Sequence, residues 1–249
     1  MNVPAPLLTL DKVVAGYGKM TILNGVTASI RKGAITTVVG PNGAGKSTMF
    51  KAIFGLLPIR SGSIMLDGEA TANLPPRQML AEGVCYIPQG RNIFPELSVE
   101  HNLELGGVAL PDGSKLTGRV DGMMDRFPML KDKARAQAGT LSGGQQKLLE
   151  VARGLLLDPR LILIDEPSIG LSPLMVAEVF GILRDLRDQG VTILMIEQNA
   201  RQALQMSDYG LVLEQGQTRI EDRAEKILAD PRIAQLFLGG GLEPVKEAS

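Results

Sequence analysis

The nine residues Gly40-Pro41-Asn42-Gly43-Ala44-Gly45-Lys46-Ser47-Thr48 constrain this chain more than any other stretch. They match the pattern G-x-x-x-x-G-K-[ST] in full, and they follow Ala34–Val39, an apolar run that reads as a buried strand. A helical pattern starts at Lys46 and continues to about Leu56, with Met49, Phe50, Ile53 and Phe54 on one side. A strand that turns through glycines into a helix aims successive backbone N–H groups, and the positive end of the helix, at one point. That point suits a polyphosphate. Lys46 is placed to reach the β and γ phosphates, and the Ser47 hydroxyl to complete the shell of a magnesium ion.

A second element lies further along. Leu161-Ile162-Leu163-Ile164 reads as a buried strand that delivers two carboxylates, Asp165 and Glu166, at its C-terminal end. Ligands gather at that end in open α/β sheets. Asp165 is suited to hold magnesium through water, and Glu166 to act on the water beside the γ phosphate. A helix over Pro173–Arg187, closed by Gly190, and a strand over Val191–Ile196 follow. Strand, helix and strand in that order mean a parallel crossover and an α/β core.

The flanks differ in character. Leu7–Thr37 alternates β-prone runs with turns at Gly16–Gly18 and Arg31–Gly33. Ser63–Leu66 and Val84–Ile87 read as short strands, with a helix opening after Pro75-Pro76 between them. From Pro88 to about Leu157 the β signal gives way to helical patterns around Leu116–Met124 and Gln145–Leu157, and Ser98 is placed to cap a helix starting near Glu100 and His101.

Composition removes several classes. Twenty-six basic residues against 27 acidic ones leave a formal charge of −1, too even for bulk electrostatic binding of nucleic acid. Apolar residues at 44% and charged residues at 21% are ordinary globular values. A lone cysteine, Cys85, allows no internal disulfide or thiolate zinc cluster, and a lone histidine, His101, allows no His-pair metal site or Ser-His pairing. Met1–Pro6 has neither the basic flank nor the apolar core of a signal segment, and no apolar run approaches the ~18 residues that span a bilayer.

Leu141-Ser142-Gly143-Gly144-Gln145-Gln146-Lys147 resembles the signature loop of ABC-type ATPases, and it lies at the expected short distance before the Asp165-Glu166 strand. The resemblance implies an α/β fold: a P-loop NTPase (RecA-like) core with an antiparallel β subdomain and an inserted helical subdomain. It implies one domain over 7–240, with core segments near 7–88 and 159–240, a helical subdomain near 89–158 and a flexible tail over 241–249. ATP and Mg2+ are the implied cofactors. Gly40 to Thr48 would bind ATP. Gln89 would sense magnesium, and Tyr17 would stack on adenine; packing beneath a hairpin is the other reading of Tyr17. Ser142, Gly143, Gly144 and Gln145 would grip the nucleotide of a second subunit, in trans. Ile169-Gly170-Leu171-Ser172 occupies the place of the D-loop, with Ser172 where an aspartate is usual. Gln198 occupies the slot of the switch histidine; it can position phosphate or water but cannot carry a proton as imidazolium does. Catalysis is therefore assigned to Glu166, with Gln198 as a positioning group, and His101 reads as a solvated helix residue.

Ile87-Pro88-Gln89-Gly90-Arg91-Asn92-Ile93-Phe94-Pro95 and Glu197-Gln198-Asn199 resemble ATPases of the hydrophobic (branched-chain) amino-acid importers, as do Asp230-Pro231-Arg232 and Leu238-Gly239-Gly240. ATPases of urea and amide importers look alike, and a soluble ABC ATPase acting on nucleic acid or ribosomes shares the same nucleotide motifs. A subunit with negligible hydrolysis is a third alternative. The importer reading implies membrane permease subunits contacted near Gln89–Phe94, a sister ATPase or second copy of this chain, an indirect solute-binding protein, no nucleic acid, and a peripheral place on the cytoplasmic face of the inner membrane. Arg91 and Phe94 are candidate contacts, with Phe94 equally placed to be core.

Overall fold

The computed structural model describes residues 6–109 and 115–231. The expectations for Met1–Ala5, Arg232, Leu238–Gly240 and the 241–249 tail lie outside the described residues. Two sheets organise the rest.

Strands β1 (Pro6–Tyr17) and β2 (Met20–Arg31) form a long hairpin, with the polar segment Gly18-Lys19 at its turn. Along β2, Leu23, Val26, Ala28 and Ile30 are buried while the residues between them face outward, the alternation of an antiparallel sheet covered on one side. β3 (Ile35–Val39) belongs to the other sheet, whereas β4 (Ile59–Leu66) and β5 (Glu69–Ala70) complete the first in the order β2-β1-β4-β5.

The second sheet adds β6 (Val84–Ile87), β7 (Leu161–Asp165), β8 (Thr192–Ile196), β9 (Tyr209–Glu214) and β10 (Gln217–Arg223). Its order is β10-β9-β3-β8-β7-β6, parallel except for β10 at one edge. Every residue of β3, β7 and β8 is buried, as befits parallel strands covered on both faces. Leu161 and Leu163 point into a core shared with the antiparallel sheet and with Met49, Phe50 and Ile53 of helix α1 (Lys46–Ile53). Their neighbours Ile162 and Ile164 point the other way, into a core closed by later helices. Fully burying each such side chain is worth ~1.5–3 kcal/mol, and because both faces of β7 are apolar its register is held by pairing with β6 and β8 rather than by alternation.

Helix α2 (Pro76–Ala81) opens on its proline, and the stretch between β6 and β7 is helical: α3 (Val99–Gly106), α4 (Leu116–Arg126), α5 (Pro128–Asp132) and α6 (Gly143–Leu155). The Ser98 hydroxyl accepts from the His101 N–H at 3.0 Å and caps α3, and His101 is exposed. Beyond β7 come α7 (Pro173–Asp188), α8 (Ala200–Met206) and α9 (Ala224–Ala229). β7, α7 and β8 form the expected crossover, with β7 and β8 paired in parallel.

Some boundaries differ from the sequence pattern. α1 stops at Ile53 rather than near Leu56, because Gly55 takes a left-handed φ of 77° where a Cβ would meet the Leu74 carbonyl oxygen at 1.9 Å. β4 begins at Ile59 rather than Ser63, since pairing of Ile59 with Ala15 and of Ser61 with Val14 carries a polar run that has no alternating signature. α4 runs to Arg126, where Phe127 precedes Pro128 and leaves helical geometry.

Candidate functional site

The order β3-β8-β7-β6 places four loops side by side at the C-terminal ends of neighbouring parallel strands. They begin at Gly40, Glu197, Glu166 and Pro88, so residues far apart in sequence converge on one edge.

The glycine loop is closed by the Ala44 N–H bonding to the Pro41 carbonyl at 3.1 Å. Gly45 caps α1 with φ 100°, a conformation L side chains rarely adopt. Gly40 is fixed by close approach instead: a Cβ there would meet the Leu213 carbonyl oxygen at 2.0 Å. The Lys46 ammonium donates to the carbonyls of Gly40 at 2.7 Å and Pro41 at 3.0 Å. Burial holds its pKa below the ordinary lysine value, with the carboxylates of Glu166 and Asp165 pushing the other way. A cleft of about 280 Å³ opens over this loop, lined by Tyr17, Asn42–Thr48 and Glu166. Tyr17 is 48% exposed, with the Lys51 ammonium 5.9 Å from its ring centroid; it is not packed beneath the hairpin.

Asp165 is 2% exposed, and burial raises its pKa although a Ser47 hydrogen bond and Lys46 lower it. Its Oδ1 is buried without a hydrogen-bond partner among the described residues. A buried carboxylate oxygen left unsatisfied beside a serine hydroxyl fits a hard, oxygen-seeking cation such as magnesium.

Glu166 is half-buried. Its φ of 49° is rare for a residue with a side chain, and such strain costs about 1–3 kcal/mol unless the surroundings hold it. Oε2 accepts from the Gln89 side-chain amide at 2.7 Å. Burial first, then the Asp165 charge, raise the Glu166 pKa, opposed by Lys46 and by the Gln89 bond. Gln89 thus touches Glu166 directly, a contact the sequence did not reveal.

The signature segment is built as a helix start. Ser142 and Gln145 form a reciprocal capping box at the head of α6, with Ser142 and Gly143 exposed. Gly144 has no room for a side chain, because a Cβ would meet the Met175 side chain of α7 at 2.1 Å. Ser142, Gly143, Gly144 and Gln145 do not line the glycine-loop cleft of their own chain, and neither does the exposed Gln198. The Ser172 hydroxyl caps α7 through the Met175 N–H at 3.5 Å.

Three side chains to which the sequence assigns no part, Lys147 of the signature run among them, bind the segment after β6. Lys147 and Glu150 form an ion pair of 2.5 Å with both side chains buried. Lys147 also donates to the Gly90 carbonyl at 3.1 Å, Glu150 accepts the Asn92 N–H at 2.5 Å, and Arg153 donates to the Asn92 carbonyl. Their signal was charge at every third position in an otherwise apolar helix. Arg91 and Phe94 stand exposed on this segment, Phe94 at 52% with the Arg153 guanidinium over its ring, so Phe94 is not core. Beside them runs a cleft of about 570 Å³ lined by Ile87, Asn92, Leu105, Val108 and Arg153, among others. Cys85 also borders it, but burial pushes that thiol up to about 12 and leaves it inert as a nucleophile. No helix among the described residues is long and apolar enough to cross a membrane.

The profile of the ABC transporter family matches residues 23–169. The chain is 39% identical over 234 residues to the high-affinity branched-chain amino acid transport ATP-binding protein BraG of Pseudomonas aeruginosa, covering 94% of this chain and all of that one. It is 38% identical, over 94% of this chain and 99% of the relative, to the probable branched-chain amino acid transport ATP-binding protein LivF of Archaeoglobus fulgidus. Among solved structures it is similar to a nucleotide-free ATP-binding cassette from an ABC transporter, with a TM-score of 0.84 and 28% identity over 94% of this chain and 100% of that chain.

Proposed function

The chain belongs to the ABC transporter family, as an ATP-hydrolysing ATP-binding subunit, and from that premise we propose that it powers an importer of branched-chain or other hydrophobic amino acids. The observation that carries this assignment is the end-to-end likeness, at 38 and 39% identity, to two proteins named for branched-chain amino-acid transport.

In this reading the Tyr17 ring lies against adenine and the amides of Gly40–Thr48 surround the phosphates. Lys46 exchanges its two carbonyl partners for β- and γ-phosphate oxygens. Ser47 and Asp165 would hold magnesium, Asp165 through water and with Gln89 nearby, and the ion supplies positive charge that neutralises and orients the phosphate oxygens. Glu166 takes the proton of the attacking water as its oxygen bonds to the γ phosphorus and the bond to the ADP oxygen breaks. Gln89 holds Glu166 by Oε2, and Gln198 orients water or phosphate without moving a proton.

Exposure of Ser142 and Gly143 away from their own cleft supports a grip in trans, in which a second subunit supplies the capped end of α6 to this γ phosphate. That subunit is a sister ATPase or another copy of this chain. Cleavage removes the bridge, so the pair closes on ATP and loosens after hydrolysis. The exposed Arg91 and Phe94, beside an apolar cleft, suit a short permease segment at the cytoplasmic membrane surface. A pull there reaches α6 through Lys147, Glu150 and Arg153.

Purification of the chain from native membranes tests the class. Recovery with two permeases, a sister ATPase and a solute-binding protein is the expected result, and recovery with ribosomes or DNA overturns it. At the residue level, Gln198→Ala lowers ATP turnover by about 2–10-fold, the scale of one net hydrogen bond of ~0.5–1.5 kcal/mol, with ATP affinity unchanged. Complete loss of turnover would give Gln198 a larger part than positioning.

A further inference from the structure

We propose that Glu197 is a positioning residue for hydrolysis, its buried carboxylate clipping the turn that carries Glu166 to the loop that carries Gln198. The inference rests on the roles given above to those two residues.

Glu197 follows β8 directly and is 2% exposed. Its Oε1 accepts the Ser168 N–H at 2.8 Å, and its Oε2 accepts the Ser168 hydroxyl at 2.7 Å and the Gln198 N–H at 3.2 Å. Ser168 is the third residue of a turn that starts at Glu166 and closes with the Ile169 N–H on the Glu166 carbonyl at 3.3 Å. At the head of that turn the Glu166 N–H donates to the Ile196 carbonyl at 2.9 Å. The end of β8 therefore grips the turn twice, by backbone at Glu166 and by the Glu197 side chain at Ser168. Between those two points sits the left-handed Glu166 backbone, a conformation that persists only where its surroundings over-determine it.

The choice of an acid is informative. No ion pair among the described residues includes Glu197. Burial raises its pKa, and the nearby Glu166 charge acts in the same direction, against the three donated hydrogen bonds. A buried carboxylate without a cation is a costly way to staple a loop. What it offers is acceptor capacity alone: three donors converge on two oxygens, and an amide would turn a donor toward one of them. A site that must hold two neighbouring loops at fixed separation justifies that cost; an inert turn does not.

The test measures ATP hydrolysis by the full chain with magnesium ATP, in Glu197→Gln and in Ser168→Ala. Turnover is expected to fall about 10–10²-fold, the scale of a misplacement of about 1 Å, with KM for ATP within about threefold of the starting protein. The thermal midpoint falls by a few degrees in Ser168→Ala, where one hydrogen bond to the carboxylate is lost, and moves by no more than that in Glu197→Gln, where the misdirected amide donor and the removal of a buried charge oppose each other. Introduced on a Glu166→Gln background, Glu197→Gln adds no more than the about 2–10-fold loss that acts through Gln198, because the part that acts through Glu166 is already gone. Turnover within about twofold of the parent in both variants overturns the clip. So does a joint fall of turnover, ATP affinity and thermal midpoint, or a full additional loss on the Glu166→Gln background. Should Glu197→Gln not fold, the half-buried Ser168→Ala decides by the same criteria. Hydrolysis that survives Glu166→Gln alone removes the underlying role of Glu166, a failure separable from that of the clip.

Discussion

Glu166→Gln lowers ATP turnover by about 10²–10⁴-fold, the range for loss of a positioned base, while magnesium ATP still binds and holds the paired ATPases closed. The amide preserves the shape of the side chain but cannot accept a proton from water. Its carbonyl still accepts from Gln89, so the local geometry survives and the loss is chemical. The wild-type pH profile carries a second signature. Burial and the Asp165 charge raise the Glu166 pKa above the ordinary glutamate value. A base works only when unprotonated, so wild-type turnover falls as pH drops through that raised pKa, and the acid limb lies above the range of an ordinary glutamate. The residual turnover of Glu166→Gln lacks this limb. Phosphate release measured across the acid range, together with light scattering in ATP, reads both effects. Turnover within about tenfold of wild type, with the acid limb intact, would move the proton acceptor elsewhere.

Much of this site was legible because its chemistry is local in sequence. A strand, a glycine turn and a helix start lie within Ile35–Ile53, and their spacing alone predicts both the elements and the convergence of N–H groups. The Asp165-Glu166 pair was legible for the same reason, and Ser142-Gly143-Gly144-Gln145 through its resemblance to a signature loop, whereas the capping box between Ser142 and Gln145 emerged only in the structure. What the sequence withheld is long-range. The Gln89 contact with Glu166 spans 77 residues and depends on β6 lying next to β7, a neighbour relation that periodicity does not encode. The contact of Glu197 with Ser168 needs β8 inserted beside β7. The polar first half of β4 has no strand signature in the sequence because its strand character comes from pairing with β1, not from alternation. Exposure was equally out of reach: Phe94 looks like core by residue type, yet the Asn102 side chain, bonded to both its N–H and its carbonyl, fixes its backbone while the ring stays outside.

Lys46→Ala abolishes tight nucleotide binding and with it the stabilisation that nucleotide confers. The ammonium already lies within the glycine loop, desolvated enough to lower its pKa and held by the Gly40 and Pro41 carbonyls. That cost of burial is recovered when phosphate oxygens replace the carbonyls. Each charge-assisted bond is worth ~1.5–3 kcal/mol, and about 1.4 kcal/mol is a factor of ten, so losing bonds to two phosphates weakens binding by about 10²–10⁴-fold. Without nucleotide, the variant gives up two carbonyl contacts but also a desolvated cation, and its thermal midpoint stays close to that of the parent. Ligand linkage separates the two effects. At nucleotide concentrations about 100 times Kd the parent gains ~2.7 kcal/mol, or about 5–10 °C in a chain of this size at about 2–4 °C per kcal/mol. Lys46→Ala at the same concentration gains almost none of it. Lys46→Arg fares little better, because a planar guanidinium does not fit the space between two loop carbonyls that a compact ammonium fills. A nucleotide-induced shift of parental size in Lys46→Ala would show that the glycine loop grips something other than a phosphate chain.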